Sequence, residues 1–505
     1  MKRFLLVLLA FAMLMSLVAD GNAASNEAKP GKTDIVVATA TEAVTLDPQK
    51  GWDGASLYVL RQMFNGLVKL DANMKIVGDL AESWEFTSES SVTFTLRQGV
   101  KFHNGEVLKA SDVVFSIERA QASAKVKAFA ANIVSVVADD DRTVTITTDG
   151  PYAPLMNNLC HTACSIVSQK AVEEVGDGKF SSAPVGTGAF AFVQWDSGSK
   201  IVLKRHEDFF GGKVLPTTLT FKLMTEGSSR TMALETGEVD LNLVVTAADA
   251  ARVDADKVMD LVVSMSPKIE YVSMNQKVEP FNNPLVRQAI NYAIDRETLN
   301  TVATAGYGVV SNSVMNMQIT GYTENVTGYE YNPEKAKELL AKAGYPDGFS
   351  SSILLSGDTR NLEAQLIQGN LMEIGIDLDI TTLDSTTVLE QINNGNYKMF
   401  IMSYNNTTGD PDTSLYMLFH STVPASSGNR SFTNIPRVDE LLDGARLEMD
   451  ATARMAMYAE VQQILTEQAV WVPLHCLPTL VGIRNNLKGY DPHPLGNDVF
   501  DQLHY

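Results

Sequence analysis

The run DIVVATAT, beginning at Asp34, is rich in β-branched residues and suits a buried strand. EAVTLDP follows and closes a turn at Pro48. Further on, Val92, Phe94 and Leu96 alternate with Thr93, Thr95 and Arg97, which predicts a half-buried strand turning at Gln98-Gly99. RTVTITT repeats the alternation and stops at DGP. SLYVLRQMFNGLV and DVVFSIERA carry helical spacing, with Ser111 the expected N-cap of the second. Residues 60–180 therefore read as an α+β unit of hairpins and helices. GTGAFAFVQW and SKIVLKRH then read as strands joined by a turn at Asp196–Ser199, and LTFKLM and IEYVSMNQ as two more.

Beyond residue 276 the pattern lengthens into amphipathic helices. PLVRQAINYAID is one; NPEKAKELLAKAG is another, with Pro333 in its first turn and Gly344 at its stop. LEAQLIQGNLMEIG leads to IDLDITTL, and VLEQINNG leads to YKMFIMSY. Helix alternating with strand predicts an α/β layer.

At 505 residues the chain exceeds one core, and two to four domains are expected. Its net charge of −20 repels phosphate backbones, and no basic run follows the N-terminus, so nucleic acid is excluded as a partner. Lys2 and Arg3 precede an apolar run from Phe4 to Val18, and Gly21-Asn22-Ala23 supplies small residues. Residues 1–23 thus read as a secretory signal peptide, with no cysteine placed for a lipid anchor and a periplasmic location expected. The three cysteines, Cys160, Cys164 and Cys476, leave at least one thiol unpaired. CHTAC is a weak metal signal beside the readings of a structural disulfide or buried thiols.

Catalytic motifs are missing. His206-Glu207 is not followed by the spacing of a zinc protease, no GxSxG is present, and GTGAF runs into a strand rather than a phosphate-binding helix. An enzyme is not expected, and neither is a cofactor or a bound metal. An exported hydrolase or a sensory binding protein is the rival class.

Seven segments, in order, resemble the extracytoplasmic solute-binding proteins of peptide and nickel ABC importers, family 5. They are TFTLRQGVKFHNGEVLKASDVVFSIERA, APVGTGAFAF, LETGEVDLN, NNPLVRQAINYAIDRETL, YNPEKAKELLAKAGYPDG, GDPDTSLYMLF and VWVPLH. The resemblance implies an α/β, two-lobed periplasmic-binding-protein fold of the class II type with an inserted α+β domain. It implies lobe I from 32–59, 181–270 and 480–505, an insert at 60–180, lobe II at 271–479, and IEYVSMNQ as one crossover strand. It also implies a monomer that captures a small solute between its lobes, a short peptide or peptide-like compound first, and delivers it to membrane permease subunits. A non-peptide organic solute or chelated nickel is the alternative.

The same resemblance directs attention to SYNNTTGDPD (403–412). Peptide binders of the family carry an aromatic residue, then an aspartate that pairs with the ligand amine, ahead of the GDPD segment. Here Tyr404 stands at the aromatic position and Thr407 at the aspartate position, with Asn405 and Asn406 between. Threonine and asparagine hydrogen-bond but cannot neutralise an ammonium. Three readings stay open: Glu42 or Asp410 is a substitute carboxylate, the ligand's cleft-facing end is neutral, or the ligand is a chelated metal; Asp410 and Asp412 also read as turn-formers around Pro411. Thr41 and Asn275 complete the candidate site, and Arg360 is the candidate for a ligand carboxylate. Trp52 is expected in the core, with a ligand-facing wall as its alternative.

Overall fold

A computed structural model describes residues 31–357 and 360–505. The expected signal segment lies outside the described residues. One mixed sheet of eleven strands forms the backbone of the molecule. In its first half, Asp34–Thr39 lies parallel to Thr218–Leu223 and to Leu241–Asn242; Lys200–Arg205 and Phe190–Asp196 continue it antiparallel. Both faces of the first strand are covered. Ile35 and Val37 enter one apolar cluster and Ala38 another, which is why DIVVAT reads as a nearly continuous apolar run. In the second half, Ile376–Leu383, Phe349–Ser356 and Met399–Asn405 are parallel neighbours laid down between helices, the α/β layer that their alternation predicts.

Two long antiparallel strands, Met259–Met274 and Trp471–Arg484, belong to both halves. The first begins well before the predicted IEYVSMNQ. Its pairing slips between Met265 and Ile269 and again between Glu270 and Tyr271. Pro267 lies inside the first slip, Pro478 opposes Met265, and Pro473 opposes Tyr271. A proline removes one ladder donor, so it concentrates where pairing is already broken. The two halves are joined at these irregularities.

Before the second half, the chain builds a separate four-stranded antiparallel sheet in the order Ala81–Ser88, Ser91–Leu96, Thr143–Thr148, Ile133–Ala138. Val92, Phe94, Leu96, Val144 and Ile146 point to one side and pack under the helix Ala110–Ala122. That helix starts at Ala110, one residue before the predicted cap Ser111. The Asp112 carboxylate accepts the N–H of Lys109 at 3.0 Å, closing the first turn from the inside. Leu60, Met63 and Phe64, together with Val167, Ala171, Val172 and Phe180, pack into the core of the first half rather than under this small sheet. Elsewhere the caps follow the sequence. Asn332 caps Pro333–Lys342 and Gly344 takes φ +96° just beyond it.

Candidate ligand-binding cleft

The strand Met399–Asn405 delivers Ser403, Tyr404 and Asn405 to its end, and the chain then folds back on itself. Asn406 organises the return. Its amide donates to the Asp410 carbonyl at 2.8 Å and to Ser414 Oγ at 2.7 Å, while its Oδ1 accepts the N–H groups of Thr408 and Gly409 at 3.1 and 2.8 Å. Gly409 takes φ +72°, and a Cβ there would lie 2.6 Å from Met74 Cε. Asp410 accepts the N–H of Asp412 at 2.9 Å, capping the helix Pro411–Phe419, and receives both Nη atoms of Arg454 at 2.8 and 2.7 Å. Asp412 receives Arg446 at 2.7 and 3.0 Å; burial still holds its carboxyl above the usual range despite the guanidinium. Asn157 donates to the Thr408 carbonyl at 2.9 Å, and the Ala153 N–H donates to the Arg446 carbonyl at the same distance. The GDPD segment is thus a fastener between parts of the chain.

Beside the fastener lies a cavity of about 700 Å³. Its lining includes Tyr404, Asn405 and Arg430 from the second half of the chain, and Trp52, Lys127 and Phe129 from the first. The ring of Trp52 meets that of Phe129 edge-on at 6.0 Å. Tyr404 is fixed by donating its hydroxyl to the Thr413 carbonyl at 2.7 Å. Tyr416 is clamped between the His420 ring at 4.3 Å and the Arg446 guanidinium at 3.1 Å from its centre, so both its faces are occupied. The aromatic surface still available is that of Trp52, which is 43% exposed.

The profile of bacterial extracellular solute-binding proteins, family 5, matches residues 75–426. The glutathione-binding protein GsiB of Salmonella typhi is 32% identical over 94% of this chain and 95% of its own. The family is thereby decided. This chain is a family 5 extracellular solute-binding protein. Among solved structures, the periplasmic binding protein DppA of Helicobacter pylori in complex with the peptide STSA superposes with a TM-score of 0.84 at 29% identity, over 94% and 98% of the two chains. The binding protein AgaA of A. tumefaciens R10 in complex with agropinic acid superposes with a TM-score of 0.79 at 27% identity, over 93% and 96%.

Of the predicted site residues, the binding protein brings Tyr404 and Asn405 to the large cavity. Thr41 and Glu42 line a separate small pocket with Trp195. Glu42 accepts the Gly198 N–H at 2.8 Å and Trp195 Nε1 at 2.9 Å, and these bonds hold its carboxyl below the usual range. It does not line the large cavity. Asn275 is buried and gives its amide to the carbonyls of Gly395 and Tyr397 at 3.0 and 3.1 Å. Asn406 is spent inside its own loop, and Thr407 is buried with Oγ1 unpartnered, away from the cavity wall. Asp410 is committed to Arg454. Trp52 departs from the core expectation, being exposed at the cavity. Phe129, Lys125, Lys127 and Arg430 carried no local signal, since nothing in KVKAF or GNRSF marks a ligand wall.

Arg360 pairs through Nε with Glu270 and reaches Ser403 Oγ from Nη2 at 3.2 Å. Glu270 sits in a buried polar trio with Glu363 and His475, whose ligand atoms lie within 4.8 Å of one another. Burial, reinforced by Glu270, pushes the Glu363 carboxyl up to about 8, and burial holds His475 below its ordinary value. Two carboxylates and an imidazole are a donor set for a divalent cation. The Arg360 guanidinium, however, already supplies positive charge at Glu270. All three cysteines are free thiols, the buried-thiol reading rather than the disulfide.

Proposed function

We propose that the chain is the periplasmic, monomeric substrate-binding subunit of an ABC importer, acting by binding alone, and that its cargo is a short peptide or peptide-like solute. The observation that carries this reading is the 700 Å³ cavity lined by residues from both halves of the chain, large enough for a few residues of extended peptide. Its lining offers an exposed indole, an asparagine and an arginine. The named relatives bind glutathione, a tetrapeptide and agropinic acid, all carrying amino-acid units or carboxylates, which supports the same class. A solute touching both walls binds the closed arrangement better than the open one and shifts the population toward it. The permease then has only to distinguish the closed shape. Export of the chain follows from the signal segment at residues 1–23.

The test is a thermal-shift and native mass-spectrometric screen of the mature protein. A mixed tripeptide library should raise the melting temperature and leave a retained mass, since a ligand that binds only the folded state must stabilise it. Stabilisation by sugars or bare metal ions, with none by peptides, would sink this reading.

A further inference from the structure

We infer that the cleft selects a solute of net negative charge, with a carboxylate seated on Arg430. This rests on the proposed function of the same cavity and specifies its ligand.

The chain as a whole carries −20, yet the cavity wall reverses that sign. Its basic side chains are Lys125, Lys127, Arg430 and Arg446, and its single acidic side chain is Asp412. Asp412 is consumed by Arg446 through two hydrogen bonds. Lys125, Lys127 and Arg430 have no acidic partner among the described residues. A cleft with three uncompensated cations and no free carboxylate attracts anions and repels cations, on approach and at contact.

Arg430 carries the inference furthest. Its Nη1 has only the sulfur of Met402 at 3.3 Å as acceptor, and its Nε is buried without any partner. Buried donors are normally satisfied, and a guanidinium presents five of them in a planar fork that fits a carboxylate on two points. Asn405 lines the same cavity. A cation with so little protein partnership, on a cavity without a free carboxylate, matches a ligand that offers a carboxylate. A free ammonium finds no free carboxylate here, because Asp412 is paired with Arg446, and Asp410 and Glu42 do not line the cavity.

The test uses the mature protein stripped of cargo by unfolding and refolding. Three tripeptide pools with Glu, Gln or Lys at the centre are offered at equal concentration, each also as N-acetyl forms, alongside the non-peptide anion N-acetylglutamate. Retained masses are read by native mass spectrometry and affinities by calorimetry. The Glu pool should bind about tenfold or more tighter than the Gln pool, the scale of one charged hydrogen-bonded pair, with the Lys pool weakest. Acetylation should not weaken it. R430Q should remove the Glu preference while R430K retains part of it, each with an unchanged melting temperature in the absence of peptide. Equal retention of all three pools would overturn the charge selection and leave the peptide reading standing. Retention of N-acetylglutamate without any peptide would support the charge selection and overturn the peptide reading. Retention of the Lys pool, or of nothing anionic, would overturn this inference.

Discussion

Arg454 and Asp410 face each other through two hydrogen bonds of 2.8 and 2.7 Å, with side chains 9% and 3% exposed. The pair ties the helix Ala451–Glu467 to the start of Pro411–Phe419 and so holds the cleft loop at its root. Removing one partner from such a pair strands a charge in a poor solvent, a penalty of about 3–5 kcal/mol. Asp410→Ala is expected to lower unfolding free energy by that amount in urea titration. Adding Arg454→Met should recover part of it. A single variant as stable as the parent would mean water already reaches Arg454.

Asn405 and Asn406 are neighbours with opposite duties, and the two alanine variants should separate them. Asn406→Ala strips acceptors from two buried N–H groups, at about 1–3 kcal/mol each, so stability should fall and affinity with it. Asn405→Ala removes an atom that no protein group uses. Its unfolding free energy should change by less than about 0.5 kcal/mol, as is usual for such sites, while ligand affinity drops. Equal losses of stability in both would show that Asn405 is structural.

How far these roles were legible in the sequence depends on the distance between partners. Asn332 and Pro333 at one end and Gly344 just past the other bracket a single short helix, so that helix could be read directly. GDPD was legible as a turn, since Asp410 caps the next helix through the N–H of Asp412, two residues on. Its work as a fastener was not. Arg446 and Arg454 lie 34 and 44 residues downstream of their aspartates, and Asn157 lies 251 residues before Thr408. The cavity has the same character. Phe129, Trp52 and Arg430 come from three distant loops, and only the folded chain brings their environments together. Arg360 was legible as a carboxylate binder, and it does bind one, but the carboxylate is Glu270 of the protein itself.

Cys160, Cys164 and Cys476 test how closed the interior is. Burial raises all three thiols, Cys164 to about 12, which disfavours the reactive thiolate. The native protein should give no reaction with an aromatic disulfide reagent at pH 8, and three equivalents after denaturation. Rapid reaction of one equivalent without unfolding would reveal opening near Cys160, the one thiol that is not fully buried.

The polar trio at the junction of the halves should make stability depend on pH in a defined direction. Glu363, 6% exposed, has its carboxyl raised from 4.5 to about 8 by burial and by Glu270, so the folded protein keeps a proton that the unfolded chain releases. Its contribution is complete below pH 4.5 and is lost as pH rises through 8, at up to about 1.4 kcal/mol per pH unit. His475 works oppositely. Burial depresses it below 6.5, with Glu270 and Arg360 as its charged neighbours, so its contribution is complete above 6.5 and fades as acid charges the ring. Glu363→Gln fixes the neutral form. Wild type should lose melting temperature between pH 6 and 9, and E363Q should lose much less, with the two curves meeting at low pH. Parallel curves would mean that Glu363 is ionised in the folded protein, its charge balanced by Arg360 instead of by a proton.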